Sequence, residues 1–403
     1  MRGRNILLLL LMISLVTLTG CWSRKELNEL AVVMAMGIDL DPEGYAVTVQ
    51  VLNSGETGSP LLSGSGGSLP VISYKATGKT VPDALQRMLS TTPRILYLSH
   101  VRVLVFGEDL ARAGISDALD YLNRNHQLRT DFYMLVAKNS EASKILDVIT
   151  PFEHIPANSL FSSILVSHKN WAATGKVTLQ EFVVELERGG SNPVMSGVQL
   201  KGVPSQSESA KNVQSITPKA LIQHAGIAVF KKDKLVGWLG ESSSKTLNYV
   251  LNKVDSTVGN VSCPEGGTAG FTITRADSSI DVNLNGENEP EFTVNLNLEA
   301  NLTSVESKID LRKPASIEIL RSLIKSKTDL GMTNNIKKVQ EKYGSDIYGF
   351  GEELHRKYPK LWKGYRKHWD ETFQTVKVSV NSSVAIQQIG SVIQSQRKEV
   401  ELK

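Results

Sequence analysis

Two cysteines, seven histidines and one dense run of lysines and arginines are the side chains of this 403-residue sequence whose placement could support chemistry. Cys21 and Cys263 are too few for a disulfide framework or a cysteine-rich zinc or iron–sulfur site. A single bridge between them stays arithmetically open. The closest histidines, His355 and His368, are 13 residues apart, whereas a metal pair on one helix face needs a spacing of about three or four. Gly78-Lys79-Thr80 resembles the end of a phosphate-binding loop, but Ser73 stands where that loop needs its first glycine. Neither H-E-x-x-H nor G-x-S-x-G occurs. These absences predict no catalytic, metal or cofactor site, and Cys263 reads as a structural or free thiol.

Cys21 has a more specific setting. Arg2 and Arg4 precede an apolar stretch of 13 residues, 6–18, interrupted only by Ser14 and Thr17. That is the length of a signal-peptide core and too short to span a bilayer. Leu18-Thr19-Gly20-Cys21 follows, with small residues before a cysteine. The tetrad resembles the bacterial lipobox, L-x-G-C. The resemblance implies that residues 1–20 are removed and that the Cys21 thiol carries a diacylglyceryl group. The alternative is an ordinary signal peptide with an incidental cysteine. Two acyl chains suffice for stable anchoring, since each buried methylene contributes about 0.8 kcal/mol and a single chain is marginal. No later stretch reaches 18 apolar residues, so the mature chain is expected to sit on a membrane and not to cross it.

The third feature lies at 354–373. Six basic residues (Arg356, Lys357, Lys360, Lys363, Arg366, Lys367) and no acid fall between Glu353 and Asp370. Tyr358, Trp362, Tyr365 and Trp369 follow i, i+4, i+7, i+11, one face of a helix, with Pro359 fitting only a first turn. The simpler expectation is an amphipathic helix packing its aromatics on a sheet. The sharper one gives Lys360, Lys363, Arg366 and Lys367 a contact with anionic headgroups or an acidic partner, at about 1 kcal/mol per well-placed cation. Packing uses one face and binding the other. Nucleic acid is not an expected partner. Loss of Arg2 and Arg4 with the leader leaves 43 basic against 41 acidic residues, a net charge of only +2.

The elements that must position these residues alternate between strand and helix. A hairpin is expected over 31–40 and 45–52, turned by Asp41-Pro42-Glu43-Gly44. A Gly/Ser-rich loop fills 53–70. A strand at 71–74, a helix from Val81 to about Ser90, and a strand at 101–106 come next. A helix at 116–123, a strand at 132–136 and a helix at 141–149 complete an amino-terminal unit. Helices at 159–167 and 178–188 follow, and 191–218 reads as linker or long loop. Beyond it lie a hairpin at 226–230 and 235–239, a helix at 242–253, and alternating strands at 271–274, 280–284 and 292–302. Helices at 315–325 and 334–343 and a last strand near 376–380 end the pattern. The fold expected is mixed α/β, multi-domain, with mixed or antiparallel sheets flanked by helices. Three domains are drawn, at 21–150, 151–218 and 219–403.

Three stretches carry a family resemblance. The first is Gly20-Cys21-Trp22-Ser23-Arg24-Lys25-Glu26-Leu27-Asn28-Glu29-Leu30-Ala31 with Ala35-Met36-Gly37-Ile38-Asp39. The second is Gly226-Ile227-Ala228-Val229-Phe230, Asp233 and Lys234-Leu235-Val236-Gly237-Trp238-Leu239. The third is Asp346, Phe350-Gly351, Leu354-His355, Pro359, Trp362, Trp369 and Phe373. In order and spacing they resemble the GerAC-type spore germination lipoproteins, the C subunits of nutrient germinant receptors of endospore-forming bacteria. The resemblance implies a non-enzymatic protein, lipid-anchored on the outer leaflet of the spore inner membrane. Its partners would be two integral-membrane subunits, of A and B type, one related to amino-acid transporters. It supplies no catalytic residues, and Cys21 alone maps as a functional position. The alternative from another class is a solute-binding lipoprotein that hands a small ligand to a transporter.

Overall fold

The computed structural model describes residues 3, 5–6, 26–53, 69–153, 155–208, 211–214 and 216–390. Cys21, the expected leader at 1–20 apart from residues 3 and 5–6, and the body of the Gly/Ser-rich loop lie outside the described residues.

The strands in chain order are β1 (Leu30–Asp41), β2 (Gly44–Leu52), β3 (Val71–Gly78), β4 (Ile95–Tyr97), β5 (Val103–Gly107), β6 (Tyr133–Ala137), β7 (Val194–Gly202), β8 (Ala220–Lys231), β9 (Lys234–Leu239), β10 (Thr257–Ser262), β11 (Thr268–Leu284), β12 (Pro290–Val305) and β13 (Lys377–Gln388). The helices are α1 (Val81–Met88), α2 (Glu108–Ala113), α3 (Ser116–Arg124), α4 (Ala142–Leu146), α5 (Pro156–Trp171), α6 (Leu179–Glu187), α7 (Lys211–Gln214), α8 (Glu241–Val250), α9 (Pro314–Tyr343), α10 (Phe350–Lys357), α11 (Pro359–Tyr365) and α12 (Trp369–Phe373). The mixed α/β class and the two flanked sheets are as expected.

The first sheet runs β3-β2-β1-β5-β6-β7-β8-β9, with β4 paired to β1. Its central strands β1, β5, β6 and β7 are parallel neighbours. Both faces are covered, which is why β5 and β6 read as unbroken apolar runs and not as alternation. On one face Met36, Ile38, Leu104, Phe106 and Met134 pack with α1, α3 and α6 residues. On the other, Ala35, Val103, Val105 and Leu135 pack under α4 and α5. The second sheet runs β10-β11-β12-β13 and holds a separate core with α9 to α12.

β8 belongs to two cores at once. Ala228 and Phe230 point into the first core, while Ile227 and Val229 join the second. The period of two along a strand does this without a bend. The hairpin drawn into the carboxy-terminal domain therefore hydrogen-bonds onto β7 and completes the first sheet.

Four expectations need correction. The stretch 191–218 is not all linker, because β7 is an interior strand between β6 and β8. Its small residues conceal it: a Cβ on Gly197 would lie 2.3 Å from the Trp238 ring, and Ser196 Oγ donates to the Gly175 carbonyl at 2.5 Å. The strands at 271–274 and 280–284 are one strand, since exposed Arg275, Asp277 and Ser279 face Glu299, Asn297 and Asn295 across the ladder. The helices at 315–325 and 334–343 are one helix of 30 residues. Gly331 costs it about 1 kcal/mol of propensity. Against that, Lys325 and Asp329 pair at 2.7 Å and both hold the Ser382 backbone of β13. Finally, 354–373 is not one helix. Tyr358 leaves helical geometry before Pro359, so α10, α11, a 3-10 turn at Arg366–His368 and α12 succeed one another.

Candidate functional site

The third sequence stretch is organised by Asp346, whose side chain is wholly buried. Its Oδ1 accepts from the Tyr348 and Gly349 amides at 3.0 and 2.9 Å. Its Oδ2 accepts from the Gly351 amide and from Trp369 Nε1, both at 2.9 Å. The carboxylate thus caps the start of α10 and fixes the tryptophan of α12 in one stroke. Burial pushes its pKa up to about 6, against the four donated bonds that favour the charged form. Around it Phe292, Phe350 and Phe373 pack with Trp369, and Trp362 meets Trp369 edge-on at 5.4 Å.

This knot is also the seam between the two sheets. Asn192, just before β7, donates its amide to the Asp346 carbonyl at 2.6 Å. Ser345 Oγ donates to the Phe230 carbonyl of β8 at 2.6 Å. Asn192 Nδ2 donates to Asp370, which Lys231 also pairs at 3.3 Å. Gly190 and Gly351 touch backbone to backbone: a Cβ on Gly351 would lie 2.5 Å from the Gly190 carbonyl oxygen. Tyr343 closes the other side, its hydroxyl donating to the Trp238 carbonyl at 2.7 Å.

Two further buried carboxylates explain the other stretches. Asp39 accepts from the Ala142 and Ser143 amides at 2.6 and 3.1 Å, at the amino terminus of α4. Burial raises its pKa against those bonds. Gly37 lies two residues away because α4 passes over it, with Ala142 Cβ 3.1 Å from where a Cβ would be. Glu108 ties the second stretch to the turn after β6, accepting from the Asn139 amide and Trp238 Nε1 while pairing with Arg112. Burial works upward on Glu108, but those donors outweigh it and hold its pKa below the usual value. All three carboxylates are occupied by protein N–H groups, an architectural role. Among the described residues no three His, Cys, Asp or Glu side chains gather as metal ligands would.

A cleft of about 710 Å³ opens beside the seam, between α6, the end of α8 and the start of α10. Val184, Phe182 and Ile280 supply apolar wall, and Arg188 and Arg356 sit at it already paired to Glu185 and Glu353. Tyr348 lines it too, only 1% exposed, with a hydroxyl that has no hydrogen-bond partner.

The predicted contact residues are gathered, and all are exposed. Lys360 and Lys363 lie on α11, and Arg366 and Lys367 on the turn that follows. Arg366 lies against Gly189. Trp362 and Trp369 are each 3% exposed, so the aromatic face is core even though the helix is broken. Cys21 is outside the described residues. What sequence reasoning missed is the role of the acids. Asp39 and Asp346 stood in the named stretches with no function attached; for Asp346 the available signal was Gly349 and Gly351 within the next five residues, and for Asp39 there was none, its donors lying about a hundred residues on.

Comparison with known proteins decides the family. The family described as spore germination protein N-terminal domain matches residues 23–200. That described as spore germination B3/GerAC-like, C-terminal, matches 225–390. The chain belongs to the GerAC family of spore germination proteins. It is 27% identical over 392 residues to spore germination protein KC of Bacillus subtilis (strain 168), covering 96% of each. It is 24% identical over 385 residues to spore germination protein B3 of the same organism, covering 94% of this chain and 96% of that one. The fold is like that in the crystal structure of the GerBC protein, with a TM-score of 0.56 at 19% identity, covering 87% of this chain and 96% of that one. The two family regions meet between 200 and 225, inside the β7–β8 pair. The family's halves are thus joined within one sheet.

Proposed function

We propose that this protein is the lipid-anchored, non-enzymatic C subunit of a spore nutrient germinant receptor. It sits on the outer leaflet of the spore inner membrane through a diacylglyceryl group on Cys21. There it docks with integral-membrane subunits of A and B type and supports nutrient-triggered germination. The observation that carries this reading is the family match across both halves of the chain. Two others support it. Among the described residues no helix is long and apolar enough to cross a membrane, so a lipid on Cys21 would be the means of attachment. The buried carboxylates cap helices and bind indole N–H groups, an architectural use. The four exposed cations of α11 and its following turn are the partner-facing candidates.

A second reading, a solute-binding lipoprotein, has the 710 Å³ cleft in its favour. Ligand at 100 times its Kd would add about 2.7 kcal/mol of stability, so melting the protein with candidate nutrients separates the two.

The test of the first reading is Cys21→Ala in the native host. The variant should be retained with an unprocessed leader, partition into the aqueous phase of a detergent extract, and fail to co-purify with integral-membrane proteins. Normal processing, detergent partitioning and germination in that variant would overturn the anchor.

A further inference from the structure

Lipidation alone leaves open which surface of the protein meets the bilayer. The strand register restricts it. Cys21 and Glu26 are five residues apart, at most about 18 Å of fully extended chain. A 3-10 turn at Leu27–Glu29 leads straight into β1 at Leu30. Leu30 pairs with Ile95 of β4, one strand spacing or about 4.8 Å away. β4 is therefore tied to the anchored end of the chain. The far end of β1 is the turn at Asp41–Gly44, and 12 residues of strand at about 3.4 Å each put it roughly 40 Å away.

The surface beside β4 is apolar. Ile95 and Leu89 are each 48% exposed, which singly would mean little. Here they flank one groove of about 420 Å³ whose floor is Leu85, Leu96, Leu98 and Tyr121. Arg124, which also pairs with Asp120 at 2.8 Å, and His126 stand on its rim with Gln86, Asn125 and Gln127. An apolar patch with cationic and imidazole groups at its border has the chemistry of a headgroup-level contact.

We propose that the groove between α1 and β4, with Leu89 and Ile95 at its mouth, is the face on which the anchored protein rests, its occupant being the outer-leaflet bilayer surface. This rests on Cys21 being the lipid attachment site. Leu89 and Ile95 enter the upper acyl region, and the α11 cations are left for protein partners or the lipid periphery.

The test uses the full-length lipidated protein in vesicles of phosphatidylglycerol and phosphatidylcholine at 3:7. An environment-sensitive fluorophore is placed on Leu89→Cys, on Ile95→Cys, or on exposed Glu43→Cys in the distal turn. Cys263 is buried and Cys21 carries the lipid, so labelling is confined to the new thiol. Nitroxide-labelled lipid should quench positions 89 and 95 at least about threefold more than position 43. Equal quenching at all three, or stronger quenching at 43, overturns the proposal and points to a protein partner for the groove. Vesicle flotation and the mass of the amino-terminal peptide separate the two failures. Protein that floats with a diacylglyceryl mass at Cys21 but is unquenched at 89 and 95 refutes the face alone. Protein that neither floats nor carries the lipid refutes the anchor, and this inference with it.

Discussion

Two glycine-to-alanine substitutions should move stability in opposite directions. Both Gly331 and Gly351 lie inside helices, in α9 and α10. Propensity alone says that alanine stabilises each by up to about 1 kcal/mol. At Gly331 nothing lies within 4 Å of the added Cβ, so that gain should be realised. At Gly351 the Cβ would meet the Gly190 carbonyl oxygen at 2.5 Å, Trp369 Nε1 at 2.6 Å and Gly190 Cα at 2.8 Å. Two of those atoms are backbone, and the indole is held by Asp346, so none can swing aside. The chain must separate at the seam. Overpacking of this kind costs about 1–3 kcal/mol. Losing one or two of the bonds from Asn192 to Asp346 and from Gly190 to Glu352 adds about 1 kcal/mol each. Setting a propensity gain of about 1 kcal/mol against these costs leaves Gly351→Ala destabilised by about 1–4 kcal/mol. Urea denaturation followed by tryptophan emission reads this directly, since Trp362 and Trp369 stand at the seam. A Gly351→Ala protein as stable as the parent, beside a stabilised Gly331→Ala, would refute the claim that the two sheets are locked at this contact.

Two further outcomes follow from the same region. Trp362→Ala should cost about 3–5 kcal/mol as a buried aromatic, while Lys360→Glu/Lys363→Glu/Lys367→Glu should change stability by no more than about 0.5 kcal/mol yet reduce germination; a triple variant that unfolds, or germinates normally, removes the contact role. Asp346 has a folded pKa raised to about 6 from 3.8. Its contribution to stability should be complete below about pH 4 and lost as pH rises through about 6, a slope absent in Asp346→Asn and measurable by melts across that range.

Much of the architecture was legible because its signals are local. The Asp41–Gly44 turn, the alternation of β2, the start of α1 at Val81-Pro82 and the hairpin of β8 and β9 each arise from a few neighbouring residues. The tetrad ending at Cys21 is likewise a local signal, and its reading as a lipid-attachment site stays a proposal. The identity of the aromatic core face at 354–373 survived even though its helix broke, because 3.6-residue spacing and a reverse turn at proline leave the same side chains inward.

What the sequence by itself determined, then, was the turns, the local hairpins and the family. Tertiary structure alone decided the partners of strands distant in the chain. β7 hides as a polar stretch because Gly197 exists to admit the Trp238 ring, a residue 41 positions later. β8 looks like an ordinary hairpin strand, and only the second sheet behind it shows why Ile227 and Val229 are as apolar as Ala228 and Phe230. Asp39, Glu108 and Asp346 look like surface acids in a string of letters. Asp39 caps a helix start about a hundred residues on, Glu108 clamps the Asn139 amide and the Trp238 indole, and Asp346 caps the adjacent start of α10 and holds Trp369, because N–H groups must find an acceptor once water is excluded. That requirement appears only when the chain has folded around it.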